Sequence, residues 1–234
     1  MSEITLSSNS TVQLLDSMGD DQAICRAARV SVMGAASVDT GEAAGLIGYL
    51  MKHRHGSPFE HGAMTFLIEA PIFVWREFMR HRIGFSYNET SGRYKELDPT
   101  FYVPGAGRGL VNEATSARPS MVAGTLAQQA LVREAHASAY RSAWVEYQGM
   151  LEAGIAKEVA RSVLPVGIFS SAYVTCNPRS LMAFLSLRTH DPEAAFVSYP
   201  QAEIQDVAKL MEAAFAARFP LSHRAFCDNG RVSP

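Results

Sequence analysis

The sequence predicts an α/β protein of the α+β type, and three observations carry that prediction. Runs rich in Val, Ile, Tyr, Phe and Thr, at 12–18, 63–70, 101–103 and 168–176, read as strands. Longer segments, at 22–32, 41–53, 71–82, 125–151, 178–188 and 201–219, carry apolar residues at helical spacing. No Gly-x-Gly-x-x-Gly follows a strand and no Gly-Lys-Ser/Thr occurs, which argues against a standard dinucleotide fold or a P-loop. With 234 residues, 47% of them hydrophobic and 19% charged, the chain suits a single domain over 1–234 with a sizeable core.

Each element has a local reason. Gly19-Asp20-Asp21 closes the first strand, and Asp20 or Asp21 can cap the helix that follows. A loose Gly/Ala/Ser stretch covers 34–40. Ala44, Ile47, Leu50 and Met51 then share one helical face. Pro71 ends the strand at 63–70 or starts the next helix. In that helix Phe73, Val74, Phe78 and Met79 are expected to bury, while Arg76, Glu77, Arg80 and His81 lie on or near the other face. Residues 104–120 read as a mobile flap. The long helix at 125–151 carries Tyr140, Trp144, Tyr147 and Leu151 on one stripe, which suggests core or subunit contact. Gly154 stops it, and a short helix at 157–164 contributes Arg161. Pro178 is tolerated as a first helical residue. Beyond 219 the sequence offers no functional signal.

Charge and thiols bound the function. Twenty-one basic and 23 acidic residues leave a net charge of −2, which argues against nucleic acid or membrane as partner. Cys25, Cys176 and Cys227 are widely spaced and form no Cys-x-x-Cys pair, so free thiols in a reducing, cytoplasmic setting are expected. The N-terminus lacks a signal-peptide pattern, and no apolar run is long enough to span a bilayer.

The chemistry concentrates in three places. Residues 80–94, Arg-His-Arg-Ile-Gly-Phe-Ser-Tyr-Asn-Glu-Thr-Ser-Gly-Arg-Tyr, join arginine forks to a Ser-Gly turn and interleaved aromatics. Guanidinium forks bind phosphate bidentately, and bare glycine backbone lets an anion approach, so the segment suits an anionic, flat ligand. The link 53–61 holds His53, His55 and His61, but Pro58 and the spacing match no familiar zinc pattern, and no metal is expected. The third place is Arg161 with residues 177–188. There Arg179 and Arg188 lie about half a helical turn out of phase, so one ligand is not expected to engage both from one subunit.

On these residues the chain resembles the flavin-dependent thymidylate synthases. Arg80-His81-Arg82 followed by Asn88-Glu89-Thr90-Ser91-Gly92-Arg93-Tyr94 is similar to that family's signature, with eight residues rather than about seven between Arg82 and Ser91. The likeness continues through Arg26-Ala-Ala-Arg-Val-Ser31, Tyr49-Leu-Met-Lys-His53, Ser57-Pro-Phe-Glu-His61, Ala70-Pro-Ile-Phe73, Glu158-Val-Ala-Arg161, Leu164-Pro165, Asn177-Pro-Arg-Ser-Leu-Met182 and Phe184-Leu-Ser-Leu-Arg188. It implies a central, mostly antiparallel sheet flanked by helices, and a homotetramer with shared active sites. It implies FAD held by Ser31, His55, Ser57, Glu60, Arg80, His81, Arg82, Asn88, Glu89, Asn177, Arg179 and Leu187. A uridylate would be held by Arg80, Glu89, Ser91, Gly92, Arg93, Arg161 and Arg188, with Arg80 reaching it from a neighbouring subunit. Glu77 is left out of the site, since a carboxylate near phosphate would be repelled. Ala183 stands where some relatives place a polar side chain toward the flavin.

The resemblance further implies C5-methylation of dUMP to dTMP, with NADPH and methylenetetrahydrofolate as co-substrates. Uracil C5 is a weak nucleophile, so the ring must be polarised, and Arg188 is the expected catalytic group. Cys176 is expected to be a packed thiol and Ser91 a phosphate ligand, neither a nucleophile. Two other readings stay open: a UMP C5-methylase of nucleoside-antibiotic biosynthesis, and, more remotely, a single-stranded nucleic-acid-binding module stacking bases on Phe85, Tyr87 and Tyr94.

Overall fold

A computed structural model describes residues 3–38, 42–113 and 121–234. Eight strands occur among them: β1 (Thr5–Ser7), β2 (Thr11–Met18), β3 (Ala63–Pro71), β4 (Phe85–Glu89), β5 (Thr100–Tyr102), β6 (Val111–Asn112), β7 (Met121–Val122) and β8 (Phe169–Cys176). The α-helices are α1 (Asp21–Met33), α2 (Ala44–Lys52), α3 (Ile72–Phe78), α4 (Leu126–Glu152), α5 (Lys157–Ala160), α6 (Pro178–Arg188), α7 (Ala202–Arg218) and α8 (Pro220–Asp228). The mixture of helix and open sheet is the fold class expected. None of the described helices is long and apolar enough to cross a membrane.

The chain divides into two compact units, one of Met1–Ser10, Glu69–Phe78 and Glu89–Ala172, the other of Thr11–Ile68, Met79–Asn88 and Tyr173–Pro234. The principal sheet has the strand order β2-β3-β8-β4. Within the first unit, β1 pairs in parallel with β5, Leu6 opposite Phe101. Its core gathers Phe101, Tyr140, Trp144, Tyr147 and Ile168, with the Phe101 and Tyr140 rings stacked at 4.8 Å. Burying each such aromatic contributes about 1.5–3 kcal/mol. The stripe on α4 is therefore core. Thr125 starts that helix with a capping box shared with Gln128. Trp75 of α3 donates its indole N–H to Ala70 O and Ser170 O, both at 3.1 Å, satisfying a buried polar group.

The second unit packs α1, α2, α6, α7 and α8. Fully buried Phe59, Phe66, Phe184, Phe215, Phe219 and Phe226 form its interior. Asp20 is the N-cap of α1, accepting from Ala23 N at 2.9 Å. Asp21, next to it, serves a different helix. Its buried carboxylate accepts from Leu221 N (2.8 Å), Ser222 N (3.0 Å) and Ser222 Oγ (2.6 Å) at the start of α8. Cys25 and Cys176 are buried and Cys227 is exposed, all three free.

Several expectations are corrected by packing. The third helix stops at Phe78 rather than reaching residue 82, so Arg80, His81 and Arg82 occupy the turn after it. Residues 85–89, read as loop, form β4. The 34–40 stretch folds into a 3-10 turn over Gly34–Val38, and residues 39–41 lie outside those described. Of the expected flap at 104–120, Val111–Asn112 pairs antiparallel with Met121–Val122; residues 114–120 lie outside those described. The segment at 157–164 splits into α5 and a 3-10 turn over Arg161–Val163. The tail after residue 219 contains α8, a full helix that apolar spacing did not reveal.

Candidate active site

In the first unit, Thr90 N donates to Ser171 O at 2.8 Å and anchors the chain beside β8. Residues 91–95 then turn back on themselves, with Tyr94 N and Lys95 N both donating to Ser91 O (3.1 and 3.0 Å). Gly92 is buried because the stem of Arg161 packs on it: a Cβ there would sit 3.1 Å from Arg161 Cδ and 3.3 Å from Leu97 Cδ1. Glycine is needed for that close approach. Arg93 Nε meets Glu158 Oε1 at 3.0 Å, and Arg93 N donates to Ser91 Oγ at 3.3 Å. Four expected nucleotide ligands, Ser91, Gly92, Arg93 and Arg161, thus come together. The two exposed guanidiniums match a phosphate in charge and in donor type. Glu89 ends β4 with an exposed side chain.

In the second unit, α6 organises the polar groups. Asn177 is its N-cap, accepting from Ser180 N at 2.8 Å. Arg179 extends from the first turn, and its Nη1 donates to Glu60 Oε1 at 2.6 Å. The Arg179 guanidinium lies directly on Gly56, where any Cβ would run into it. The link after α2 therefore meets Arg179 through Glu60 and through Gly56, the residue between His55 and Ser57. His53 and Tyr49 rest ring to ring at 4.3 Å. At the far end of α6, Arg188 Nε donates to His81 Nε2 at 3.0 Å. His81 also meets the Phe184 ring edge-on at 4.9 Å. Burial, with the Arg188 charge added, lowers the His81 pKa to about 4. The imidazole is therefore neutral at working pH, an acceptor at Nε2, and it orients Arg188 without competing for negative charge.

The turn between His81 and β4 is set by a glycine. Gly84 has φ +68°, and a Cβ there would overlap Ser180 Oγ and approach Asn177 Nδ2 at 2.9 Å. The turn is thus pressed onto the N-terminus of α6. Tyr87 closes it by donating its phenol O–H to His81 O at 2.7 Å. Burial, with Cys176 nearby, raises the Tyr87 pKa, which keeps that donor protonated. Burial also raises the Cys176 thiol well above its ordinary range, so it is no nucleophile. Arg80, Arg82, Asn88 and Leu187 point into solvent at the rim. Ser31 lies on the exposed side of α1, its hydroxyl turned back to Ala28 O at 3.0 Å. The contacts that Tyr87, Ser180 and Glu158 make to His81, Gly84 and Arg93 were not anticipated from the sequence, where Tyr87 stood only as a candidate stacking ring. Ser180 alone carried a local hint, the Asn-Pro-x-Ser spacing of a capped helix start.

The donor set around α6 (guanidiniums, an amide cap, hydroxyls and a neutral imidazole) suits a bound dinucleotide, being rich in groups that bind anions. Comparison with known proteins agrees with this chemistry. The family profile described as "Thymidylate synthase complementing protein" matches residues 13–221, and the chain belongs to that family. A flavin-dependent thymidylate synthase of Streptomyces avermitilis is 54% identical over 232 residues, covering 97% of this chain and 94% of the relative. One from Streptomyces coelicolor is 53% identical over 237 residues, covering 99% and 96%. Among solved structures, the UMP/dUMP methylase PolB from Streptomyces cacaoi bound with 5-Br dUMP superposes with a TM-score of 0.93 at 52% identity, covering 99% of this chain and 100% of that one. The same protein bound with 5-Br UMP gives a TM-score of 0.91 at 51% identity, with 99% of each chain covered.

Proposed function

We propose that this protein is a FAD-dependent uridylate C5-methyltransferase that converts dUMP to dTMP. The observation that carries the reading is the 3.0 Å bond from Arg188 Nε to His81 Nε2. It holds a permanent cation in one orientation, from which the guanidinium can address a pyrimidine edge. Such a preorganised donor stabilises negative charge developing on the ring carbonyl and N3 as C5 attacks an electrophilic carbon. Ser91, Gly92, Arg93 and Arg161 hold the phosphate. His55, Ser57, Glu60, His81, Asn177 and Arg179 hold FAD, with Ser31, Arg80, Arg82, Asn88, Glu89 and Leu187 completing its contacts. When bound, the flavin supplies the reducing equivalents that finish the methyl group. NADPH and methylenetetrahydrofolate serve as co-substrates.

The proposal includes one domain, a homotetramer in which Arg80 serves a neighbouring chain's site, and a cytoplasmic location. UMP methylation is the second reading, supported by the 51–52% identity to a methylase whose structures hold both 5-Br UMP and 5-Br dUMP. Product analysis with dUMP or UMP, methylenetetrahydrofolate, NADPH and FAD tests both. Faster formation of dTMP supports the first reading and faster methylation of UMP the second. No methylated product from either nucleotide would refute them together.

A further inference from the structure

We infer that residues 231–234 form a strap that positions Arg179 for its ligand. The inference rests on the reading of Arg179 as a flavin ligand and goes beyond it, because these residues lie outside every motif of the site. After α8 the chain reverses at Gly230 (φ +70°) and Arg231 (φ +56°). Arg231 is buried and grips three residues, one on α7 and two in the segment between α6 and α7. Its Nη1 and Nη2 bind both oxygens of Glu212 on α7 at 2.8 and 2.9 Å. Nη2 also donates to Thr189 Oγ1, just past α6, at 2.8 Å, and Nε faces Asp191 at 3.7 Å.

From that anchor the chain returns to the start of α6. Ser233 Oγ donates to Arg179 O at 2.9 Å, and Arg179 Nε donates to the Pro234 oxygen at 2.7 Å. Arg54 Nη1 donates to Ser233 O at 2.7 Å. Among the described residues, the two non-glycine positions with positive φ are Arg54 and Arg231. Both hold this segment, Arg231 from within it and Arg54 through Ser233 O. Left-handed backbone at such residues is costly and persists where surrounding contacts impose it.

The consequence falls on the orientation of one guanidinium. Pro234 fixes its Nε edge and Glu60 fixes Nη1, so the plane is set before any ligand arrives. The Nη2 edge keeps its donors for an anion. A fork held in this way loses less conformational freedom on binding than a free arginine does. Because Arg231 also grips Thr189, the strap braces α6 at both ends, the end with Arg179 and the end with Arg188. Residues 231–234 are positioning residues, acting through α6.

The test uses the protein of residues 1–234, a variant lacking residues 232–234, and Ser233→Ala, which removes a single side-chain hydrogen bond and keeps the fold. Exchange protection of the Arg179 Nε–H, followed by nitrogen-15 NMR without flavin, reads the strap directly. Protection should fall at least roughly 10-fold on truncation, since the hydrogen-bond acceptor is gone. FAD affinity, from flavin fluorescence quenching, should weaken about 10-fold on truncation and less for Ser233→Ala. In an Arg179→Ala background the truncation should add little, because the strap acts through that side chain. Unchanged Arg179 Nε–H protection after truncation overturns the inference, as does full additivity with Arg179→Ala. Failure of the wild-type protein to bind FAD would instead overturn the flavin reading, with the exchange measurement still deciding the strap.

Discussion

Asp21 offers the sharpest quantitative test of how the second unit is held. Its carboxylate is 7% exposed and accepts three hydrogen bonds at the N-terminus of α8, two of them from backbone N–H groups that the helix cannot satisfy itself. A hydrogen bond to a charged group contributes about 1.5–3 kcal/mol, and a carboxylate at a helix N-terminus gains about 0.3–1 kcal/mol more from the dipole. The three bonds share one acceptor, so they do not sum. About 4 kcal/mol is expected for Asp21→Ala. Asp21→Asn retains shape and one acceptor oxygen but loses the charge, and about 2 kcal/mol follows. With an unfolding entropy of about 2.1 cal/mol/K per residue, 4 kcal/mol corresponds to a Tm drop of about 8 °C for a chain this size. Urea unfolding followed by circular dichroism, with a thermal scan beside it, measures both. A loss below about 1 kcal/mol for Asp21→Ala would show that α8 is not held by this contact, and the reasoning would fail.

Other outcomes follow from the same geometry. Arg188→Ala should cut methylation by about 10²–10³-fold, the scale for removing a preorganised donor, while FAD still binds; turnover near wild type removes Arg188 from the mechanism. The pair Glu212 and His223, 2.9 Å apart, should give a pH-dependent Tm. Hydrogen bonds with Cys227 and Glu212 raise the His223 pKa to about 9, so its contribution is complete below its ordinary value near 6.5 and is lost as pH rises through 9. Burial opposes ionisation of Glu212, but bonds from His223 and Arg231 outweigh it and lower its pKa to about 2. That contribution is complete above about 4.5 and fades as pH falls through 2. His223→Gln should flatten the alkaline side of the curve of Tm against pH. Gly84→Ala should destabilise by about 1–3 kcal/mol in urea unfolding, and adding Ser180→Gly should recover only the steric part, because the positive φ remains.

Much of the fold was legible because it follows periodicity. The strand at 63–70 and the helices at 125–151 and 178–188 carry apolar residues at spacings that leave one reading open, and Thr125 and Pro178 mark their starts. The 80–94 segment was legible as chemistry, since arginine, glycine and hydroxyl groups together have few other uses. Its shape was not. β4 exists because Gly84 can press onto Ser180 and because Tyr87 reaches back to His81, and both contacts join residues whose pairing no local pattern encodes. Asp20 and Asp21 were equal candidates for one cap. The structure divides them between two helices 200 residues apart, a choice that only tertiary packing makes. α8 was invisible for a similar reason: its start is satisfied by Asp21, a partner from the other end of the sequence.

The distribution of sulfur has a practical consequence. Two of the three cysteines are sealed in the interior, their thiols made less acidic by burial, and the third, Cys227, lies open to solvent on α8. A maleimide dye or nitroxide offered to the native protein should attach at that one atom, without engineering the others away. The probe would stand four residues before Arg231, so its spectrum would report in real time whether residues 231–234 grip or release α6.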